Sequence, residues 1–257
     1  MLVSDSVRPL RIGTEVVWCT ERADAIDSTV TVAVSLYNYG AFLGECLASV
    51  AKQTHPPLDL IIVDDCSTDA SVDTAIQWLR AHSDRFMRSM VVRHVKNQGL
   101  AQARNTAFAH SRTDPVFVMD ADNQLYPRAV ERLLPYLVDR TYDAAYTQLE
   151  FFGDQSTIGH ADVWSKRSFR SGNYVDAMAL VSRRSWSQVG GYFHIEGGWE
   201  DFDFWCKFVD AGMKAIFIPE LLCRYRVHGA SMLRTETNSQ AERVAARVQA
   251  RHPWLSI

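Results

Sequence analysis

The chain has 257 residues, of which 47% are hydrophobic and 22% are charged. This length suits one large domain or two small ones that share a core, and the composition is that of a soluble globular protein. A net charge of −3 offers no basic surface to a nucleic acid. Five scattered cysteines without a Cys-x-x-Cys pair argue against structural zinc and indicate a reducing compartment. The sequence shows neither a membrane-spanning run nor a signal peptide, which predicts a cytoplasmic protein.

The first 28 residues carry mixed charge and are predicted to be an N-terminal extension, with a short strand or hairpin arm at residues 12–19. From residue 29 onward, apolar strands alternate with amphipathic helices over short connections. The predicted strands are residues 29–36, 58–63, 90–95 and 116–119, and the helices lie near 42–50, 72–79 and 100–109. Ser67 or Thr68 is expected to cap the second helix. This alternation is typical of a parallel, doubly wound sheet.

The second half is predicted to add further strands and helices around one less regular region. Residues 153–173 show no clear period and are predicted to be a loop region. The other predicted elements are helices at 127–140, 184–189, from 199 onward and at 239–250, and strands at 144–152, 174–182, 215–218 and 221–227.

Three of the predicted strands end in polar residues, which are residues 35–37, Asp64 with Asp65, and Asp120 with Asp122. Right-handed crossovers place these ends on one edge of the sheet, where ligands bind in open α/β folds. Two carboxylates there can hold a hard divalent cation such as Mg²⁺. The alternative is that these acids only form turns, because Asp is common in turns. A Gly-x-Gly-x-x-Gly loop and a Gly-Lys-Ser/Thr loop are both absent. Their absence argues against a dinucleotide oxidoreductase or a nucleotidyltransferase that holds phosphates with such loops.

Six segments of the chain carry a recognisable set of motifs. They are residues 32–38 (VAVSLYN), 61–69 (IIVDDCSTD), 97–105 (NQGLAQARN), 119–123 (MDADN), 197–201 (GGWED) and 225–228 (YRVH). In this order they resemble the family 2 glycosyltransferases of the GT-A fold, over residues 29–234. The resemblance implies an α/β fold with a Rossmann-like, mostly parallel central sheet flanked by helices and a C-terminal acceptor-binding part. Residues 29–123 would form the nucleotide-sugar-binding half, and residues 124–257 the acceptor-binding and catalytic half of the same domain.

The resemblance assigns the donor site to the strand ends. It implies that Ser35 and Tyr37 contact the base and ribose, with the ring of Tyr37 stacking on the base. Asp65 would accept a hydrogen bond from a uracil-type ring N–H, which favours a UDP-sugar. Asp120 and Asp122 match the Asp-x-Asp motif, with Asp122 the more direct ligand of Mn²⁺ or Mg²⁺. From the residue pattern alone, Tyr37 fits a buried aromatic at a strand end equally well.

The resemblance also assigns catalytic and acceptor-side residues. Asp201 matches the catalytic base, and burial beside Glu200 would raise the pKa of its carboxyl. Without the resemblance Asp201 fits an ordinary first-turn acid of a helix. His228 matches a histidine that joins the metal and diphosphate, with an ordinary core or surface histidine as the alternative. Trp199 and Glu200 are assigned to the acceptor, with core packing the alternative for Trp199. Arg104 is assigned to a phosphate contact, with a solvated helix residue as the alternative.

The chain departs from the family pattern at three places. Ser35 and Leu36 replace a common Pro-Thr pair, so base contacts differ in detail, and Asn123 replaces a frequent third Asp without touching the two metal-side acids. Cys66 replaces the usual glycine of its turn, which predicts a backbone conformation that tolerates a side chain. The resemblance implies a non-processive, inverting, metal-dependent enzyme that moves a sugar from a nucleotide diphosphate to a glycan or lipid-linked acceptor, in glycan or polysaccharide assembly. A nucleotide-sugar-binding protein without catalysis, on the same fold, is the alternative. Peripheral membrane contact through the last helix stays open, and no nucleic acid partner is expected.

Overall fold

The computed structural model describes residues 13–22, 30–229 and 240–257. Its strands are β1 (Thr14–Glu21), β2 (Val30–Leu36), β3 (Leu58–Asp64), β4 (Arg88–His94), β5 (Pro115–Asp120), β6 (Gln124–Leu125), β7 (Ala144–Gly153), β8 (Thr157–Ile158), β9 (Ala179–Ser182) and β10 (Ala215–Val227). They form one sheet in the order β1-β4-β3-β2-β5-β9-β7-β10-β6, with β8 paired to β7. The central strands β4, β3, β2 and β5 run parallel to one another.

Helices cover both faces of this sheet. They are α1 (Gly40–Ala51), α2 (Ser71–His82), α3 (Leu100–His110), α4 (Ala129–Leu133), α5 (Pro135–Val138), α6 (Lys166–Phe169), α7 (Arg183–Gln188), α8 (Glu200–Asp210) and α9 (Ala241–Arg251). Apolar residues of α1, α2, α4 and α5 pack on one face, and those of α3, α8 and α9 pack on the other. The predicted α/β fold with a mostly parallel central sheet between helices is confirmed.

The apolar runs of the sequence form the central strands because both of their faces are covered. Every residue of β2 and β3 is buried. Successive side chains of a strand point to opposite faces, so Val32 and Val34 join the core on one side of the sheet and Ala33 joins the core on the other. Burial on both sides is what a continuous apolar run in a parallel strand indicates. The strand ends are therefore the first places where polar residues are tolerated.

Two helix predictions are wrong. The single helix expected at residues 127–140 is divided into α4 and α5, because Pro135 has no N–H to donate and begins the second helix. Neither Ser67 nor Thr68 caps α2, and Asp69 Oδ1 instead accepts the N–H of Ser71 at 3.0 Å. Both predicted caps are engaged elsewhere, because Ser67 Oγ accepts the N–H of Asn38 at 2.9 Å and Thr68 Oγ1 donates to Asn38 Oδ1 at 3.3 Å.

Several strand boundaries also differ from the prediction. The strand expected at residues 174–182 is limited to β9, and 174–178 has an irregular backbone. The two strands expected at 215–218 and 221–227 are one strand, β10, whose register against β7 shifts at Leu221. The predicted loop region at 153–173 includes β8 and α6. The first strand prediction corresponds to β1, an edge strand antiparallel to β4, although residue 12 lies outside the described residues.

The last helix agrees with the sequence pattern from Ala241 onward, whereas residue 239 lies outside the described ranges. Among the described residues, no helix is both long and apolar enough to cross a lipid bilayer.

A buried carboxylate fixes α9 to α8. Asp203 on α8 is fully buried and accepts hydrogen bonds from Arg251 Nε at 2.5 Å and His252 Nε2 at 3.1 Å. Lys207 Nζ lies 3.7 Å from its second oxygen. Burial alone would raise the pKa of Asp203, but His252 and Arg251 outweigh burial and hold it below its usual value. The folded state therefore favours the ionised carboxylate.

The Asp203→Asn variant is expected to lower the free energy of unfolding by about 2 kcal/mol, because Arg251 and His252 lose the charge of a fully buried hydrogen-bond acceptor. The folded pKa is depressed, so this stabilisation is present above the unfolded pKa and is lost as pH falls through the folded pKa. Urea unfolding at pH 7 measures the difference, with the exposed Asp73→Asn on α2 as the matched control. An Asp203→Asn variant as stable as the control would contradict this role.

Candidate active site

A cavity of about 940 Å³ opens at the carboxyl ends of β2, β3 and β5. All of the predicted site residues except His228 line it: Ser35, Tyr37, Asp65, Arg104, Asp120, Asp122, Trp199, Glu200 and Asp201. The strand-end acids belong to the parallel part of the sheet, while Trp199, Glu200 and Asp201 are at the start of α8. The fold thus brings residues that are 166 positions apart in the chain, Ser35 and Asp201, to one concave surface.

The end of β3 is a rigid part of this surface. Asp65 Oδ1 accepts the N–H of Gln98 at 2.8 Å, and Oδ2 accepts the N–H of Gly99 at 2.7 Å. His94 Nδ1 lies 2.6 Å from the same Oδ1, and its Nε2 is 2.9 Å from Thr106 Oγ1. Gly99 has a φ of 85°, a conformation that favours glycine. The Asp65 carboxylate is therefore held in one orientation, with part of its acceptor capacity left for a ligand.

His94 was not predicted from the sequence, because a polar residue at the end of an apolar strand carries no motif of its own.

Tyr37 is not the buried aromatic that the residue pattern alone allowed. Its side chain is 44% exposed and stands at the mouth of the cavity. An exposed ring at a strand end is available for stacking on a planar ligand.

Cys66, which follows Asp65 in the chain, has a φ of 66°. The expectation of a conformation that tolerates a side chain is therefore wrong, since this left-handed region costs a residue with a Cβ about 1 kcal/mol. Cys66→Gly is expected to raise the free energy of unfolding by about 0.5 kcal/mol, after the larger conformational entropy of unfolded glycine is subtracted. Cys66→Val should lower it by about 1 kcal/mol, because a β-branched side chain fits this region worst. Urea unfolding of the three proteins checks this order, and a glycine variant less stable than the valine variant would contradict it.

Arg104 is a buried cation between two carboxylates. Its guanidinium donates from Nη2 to both oxygens of Asp120 at 3.1 Å and from Nη1 to Glu200 Oε1 at 2.9 Å. Only 3% of the side chain is exposed, so the alternative of a solvated helix residue is wrong. Burial lowers the pKa of Arg104, but Asp120 and Glu200 outweigh burial and raise it, so the cation is permanent. Arg104 therefore joins Asp120, at the end of β5, to Glu200 at the start of α8.

The Asp-x-Asp segment is held from β10. Arg226 Nε donates to the carbonyl oxygen of Asp122 at 2.9 Å, and Asn123 Oδ1 accepts the N–H of Arg226 at 2.9 Å. His228 Nε2 lies 3.0 Å from Asp122 Oδ2, and the imidazole packs against the rings of Tyr39 and Phe42. His228 thus adjoins the cavity through Asp122 rather than lining it.

The acids of this segment repel one another. Burial raises the pKa of Asp122, and the charge of Asp120 raises it further. A divalent cation would relieve this repulsion, and the carboxylate oxygens of this segment suit Mn²⁺ or Mg²⁺. The described residues include no preformed group of three metal ligands, because Asp120 is turned towards Arg104. Asp122 and His228 are the residues already directed at each other.

Asp201 is partly buried and lies close to other carboxylates. Its Oδ2 accepts a hydrogen bond from Asn173 Nδ2 at 3.0 Å, and its Oδ1 accepts its neighbour's N–H at 2.8 Å. Burial and then the charge of Glu200 raise the pKa of Asp201 to about 7, while Arg104 opposes the increase. A carboxyl with this pKa can accept a proton at neutral pH. Trp199, which has a φ of 65°, both packs on the core and faces the cavity.

Two cavity residues were not recognised in the sequence. Asn173 lies at the end of the region that showed no periodicity. Asp176 lies between the buried Val175 and Ala177, and burial raises the pKa of its carboxyl to about 6. The available signal was a single acid inside the apolar run from residue 175 to 181.

Comparisons with known proteins agree with this geometry. A family profile described as Glycosyl transferase family 2 matches residues 31–183, more than half of the chain. The putative teichuronic acid biosynthesis glycosyltransferase TuaG of Bacillus subtilis is 30% identical over 207 residues, which cover 77% of this chain and 79% of TuaG.

Two solved structures have the same fold. TarS residues 1–349 of S. aureus, in complex with UDP, superposes with a TM-score of 0.66 at 16% identity, over 86% of this chain and 65% of the TarS chain. This chain therefore spans just under two thirds of that relative. The mannosyltransferase PcManGT from Pyrobaculum calidifontis, in complex with GDP-Man and Mn²⁺, superposes with a TM-score of 0.64 at 20% identity, over 96% of this chain and 74% of PcManGT. Both likenesses support the predicted GT-A fold.

Proposed function

This chain belongs to glycosyl transferase family 2 and is a glycosyltransferase, and from that premise we propose that it transfers a sugar with inversion from a UDP-sugar to an acceptor hydroxyl. The resemblance carried by the six sequence motifs is thereby confirmed. One observation carries the proposal: Asp201, with a pKa of about 7, faces the same cavity as the strand-end acids Asp65 and Asp122. A glycan or lipid-linked molecule in polysaccharide assembly is the proposed acceptor, which accords with the description of TuaG as a putative teichuronic acid biosynthesis glycosyltransferase.

The donor nucleotide is proposed to lie at the ends of β2 and β3. Tyr37 offers an exposed ring for the base, and the fixed carboxylate of Asp65 offers an acceptor for a ring N–H. A uracil ring N–H can donate to that carboxylate, which supports UDP as the nucleotide. The complexes of TarS with UDP and of PcManGT with GDP-Man show that related folds accept more than one base.

A divalent metal is proposed at Asp122, with Asp120 and His228 as the other candidate ligands. The cavity is lined by seven carboxylate side chains, and Arg104 is the one lysine or arginine among its described lining residues. A diphosphate would be repelled by this surface unless a cation compensated the charge. A metal bound there would act as a Lewis acid on the leaving diphosphate. The Mn²⁺ in the PcManGT complex supports this choice of ion.

Asp201 is proposed to remove the proton of the attacking hydroxyl. Asn173 and the helix N–H orient its carboxylate, and burial beside Glu200 gives it the required basicity. Glu200 is a poorer candidate for the base, because it is 5% exposed and paired with Arg104. With a single base and no second carboxylate acting as nucleophile, the hydroxyl displaces the nucleotide directly and the anomeric centre is inverted.

The stereochemistry can be tested without knowledge of the acceptor. UDP-sugars with an α-linkage are incubated with the protein and Mn²⁺, and the first free sugar released by slow hydrolysis is followed by proton NMR. The proposal predicts that the β-anomer appears first, because water takes the place of the acceptor in a single displacement. The α-anomer as first product would exclude inversion. Binding of UDP-sugars without any release or transfer would favour the alternative, a nucleotide-sugar-binding protein that has lost catalysis.

A further inference from the structure

The proposed function, on which this inference rests, defines where the transferred sugar must lie. The diphosphate is assigned to Asp122 and the attacking hydroxyl to Asp201. The anomeric carbon has to be between the leaving oxygen and the attacking oxygen. Side chains that face the cavity between these two groups are therefore in a position to contact the sugar itself.

Asp176 occupies such a position. It lines the cavity, and its carboxyl experiences the charges of Asp120, Asp122 and Arg104 on the donor side. On the other side, its charge raises the pKa of Asp201. Asp176 is therefore within electrostatic reach of both the candidate metal ligands and the candidate base. None of the six sequence motifs includes it.

The side chain of Asp176 is fixed by its local structure. Oδ1 accepts the N–H of Met178 at 2.8 Å, and the flanking Val175 and Ala177 are buried in the core. Oδ2 makes no hydrogen bond to another described residue. The backbone of 174–178 does not join the sheet, because β9 begins only at Ala179. A rigid carboxylate with one free oxygen towards a cavity is suited to accept hydrogen bonds from sugar hydroxyls.

The charge around Asp176 limits the kind of sugar that fits. Arg104 is already paired with Asp120 and Glu200, and its charge offsets those of Asp176 and Asp201 only in part, because the pKa of both carboxyls stays raised. Burial raises the pKa of Asp176 only to about 6, so this carboxyl is ionised at pH 8. A sugar that carries a carboxylate would bring this negative charge close to those of Asp176 and Asp201. The space is partly buried, so the repulsion between them is poorly screened.

We propose that Asp176 recognises the donor sugar by accepting hydrogen bonds from its hydroxyl groups, and that it selects neutral hexoses or N-acetylhexosamines against uronic acids. Asp176 is in this account a specificity-determining residue, distinct from the base. It contributes to binding of the sugar moiety and makes no contact with the nucleotide.

Calorimetric titration at pH 8 with Mn²⁺ tests the proposal without an acceptor. The probes are UDP, UDP-glucose, UDP-galactose, UDP-N-acetylglucosamine and UDP-glucuronate. The variants are Asp176→Asn, which retains the acceptor for Met178, and the exposed control Asp73→Asn. At least one neutral UDP-sugar should bind the wild type more tightly than UDP-glucuronate by about tenfold or more. In Asp176→Asn the Kd of that sugar should rise about tenfold, the value for one hydrogen bond to a charged group, while the Kd of UDP should change by less than about twofold.

The possible outcomes separate this inference from the proposed function. Unchanged discrimination between the neutral sugar and UDP-glucuronate in folded Asp176→Asn would overturn the role of Asp176. An equal weakening of UDP and of the UDP-sugars would also overturn it, because it would indicate a role in the nucleotide site. A wild type that binds no nucleotide would contradict the proposed function itself. Circular dichroism and urea unfolding of Asp176→Asn confirm that the comparison is made on folded protein.

Discussion

Replacement of Asp201 by asparagine is expected to lower turnover about a thousandfold, the usual contribution of a general base. The Kd of the UDP-sugar in the presence of Mn²⁺ should change by less than about twofold, because the base acts only on the acceptor hydroxyl. Asparagine keeps the size of the side chain and an oxygen for the N–H of Phe202, so the start of α8 should be preserved. Initial rates and calorimetric titration of the same preparation measure the two quantities.

The pH dependence gives a second test of the same residue. Burial and Glu200 raise the pKa of Asp201 to about 7, so the base is protonated and inactive below this pH. The rate should therefore rise tenfold per pH unit below about pH 7 and level off above it. In Asp201→Asn the residual rate should lose this dependence.

Glu200→Gln is the matched control, because Glu200 precedes Asp201 in the chain and is paired with Arg104. It should shift the acidic limb of the profile to lower pH, since the neighbouring charge that raises the pKa of Asp201 is removed. A large loss of turnover in Glu200→Gln with normal turnover in Asp201→Asn would transfer the catalytic role to Glu200.

Replacement of Asp122 by alanine is expected to weaken Mn²⁺-dependent binding of UDP about a hundredfold, because the most direct metal ligand is lost. Binding of UDP without metal is expected to be weak in both proteins and no weaker in the variant, because the variant lacks one of the carboxylates that repel the diphosphate. Asp122 is held by Arg226 through its backbone, so the variant should keep the turn in place. Titration of UDP with and without Mn²⁺ measures the effect as a difference within each protein.

His228→Ala and Asp65→Asn separate metal binding from base recognition. His228 contacts Asp122, so the His228→Ala variant should lose about tenfold in its affinity for UDP in the presence of Mn²⁺ and should keep its affinity without metal. Asp65 accepts the N–H groups of Gln98 and Gly99 and has no bond to the candidate metal ligands. Its replacement should therefore weaken the binding of UDP equally with and without Mn²⁺. Equal metal-dependent affinity in Asp122→Ala and wild type would refute the assignment of the metal site.

The strand ends of this protein could be predicted because they follow from burial. The runs before Ser35, Asp64 and Asp120 are largely apolar on both faces, so the polar residues after each run had to lie at an edge of the sheet. Right-handed connection of parallel strands then placed these edges together. The cavity at these three strand ends is the consequence.

Other features depend on contacts between distant segments and were not predictable from local pattern. Arg104 shows no unusual spacing on α3, yet it is buried because Glu200, which is 96 residues later, completes its ion pairs. Asp176 resembled part of a strand, since its neighbours are apolar, but the backbone leaves the sheet there. Ser67 and Thr68 appeared to be caps, but Ser67 Oγ accepts the backbone N–H of Asn38 and the N–H of Thr68 donates to the side-chain oxygen of Asn38, which follows β2.

The most direct test of a metal-dependent nucleotide-sugar site is calorimetric titration of UDP, GDP and dTDP into the wild-type protein, with and without Mn²⁺. Tight binding of UDP only in the presence of Mn²⁺ is the predicted result, because the acid-lined cavity repels a diphosphate without a cation. Equal binding of UDP without metal would contradict the metal site at Asp122. No binding of any nucleotide under either condition would contradict the donor site at Asp65 and Asp122 as a whole.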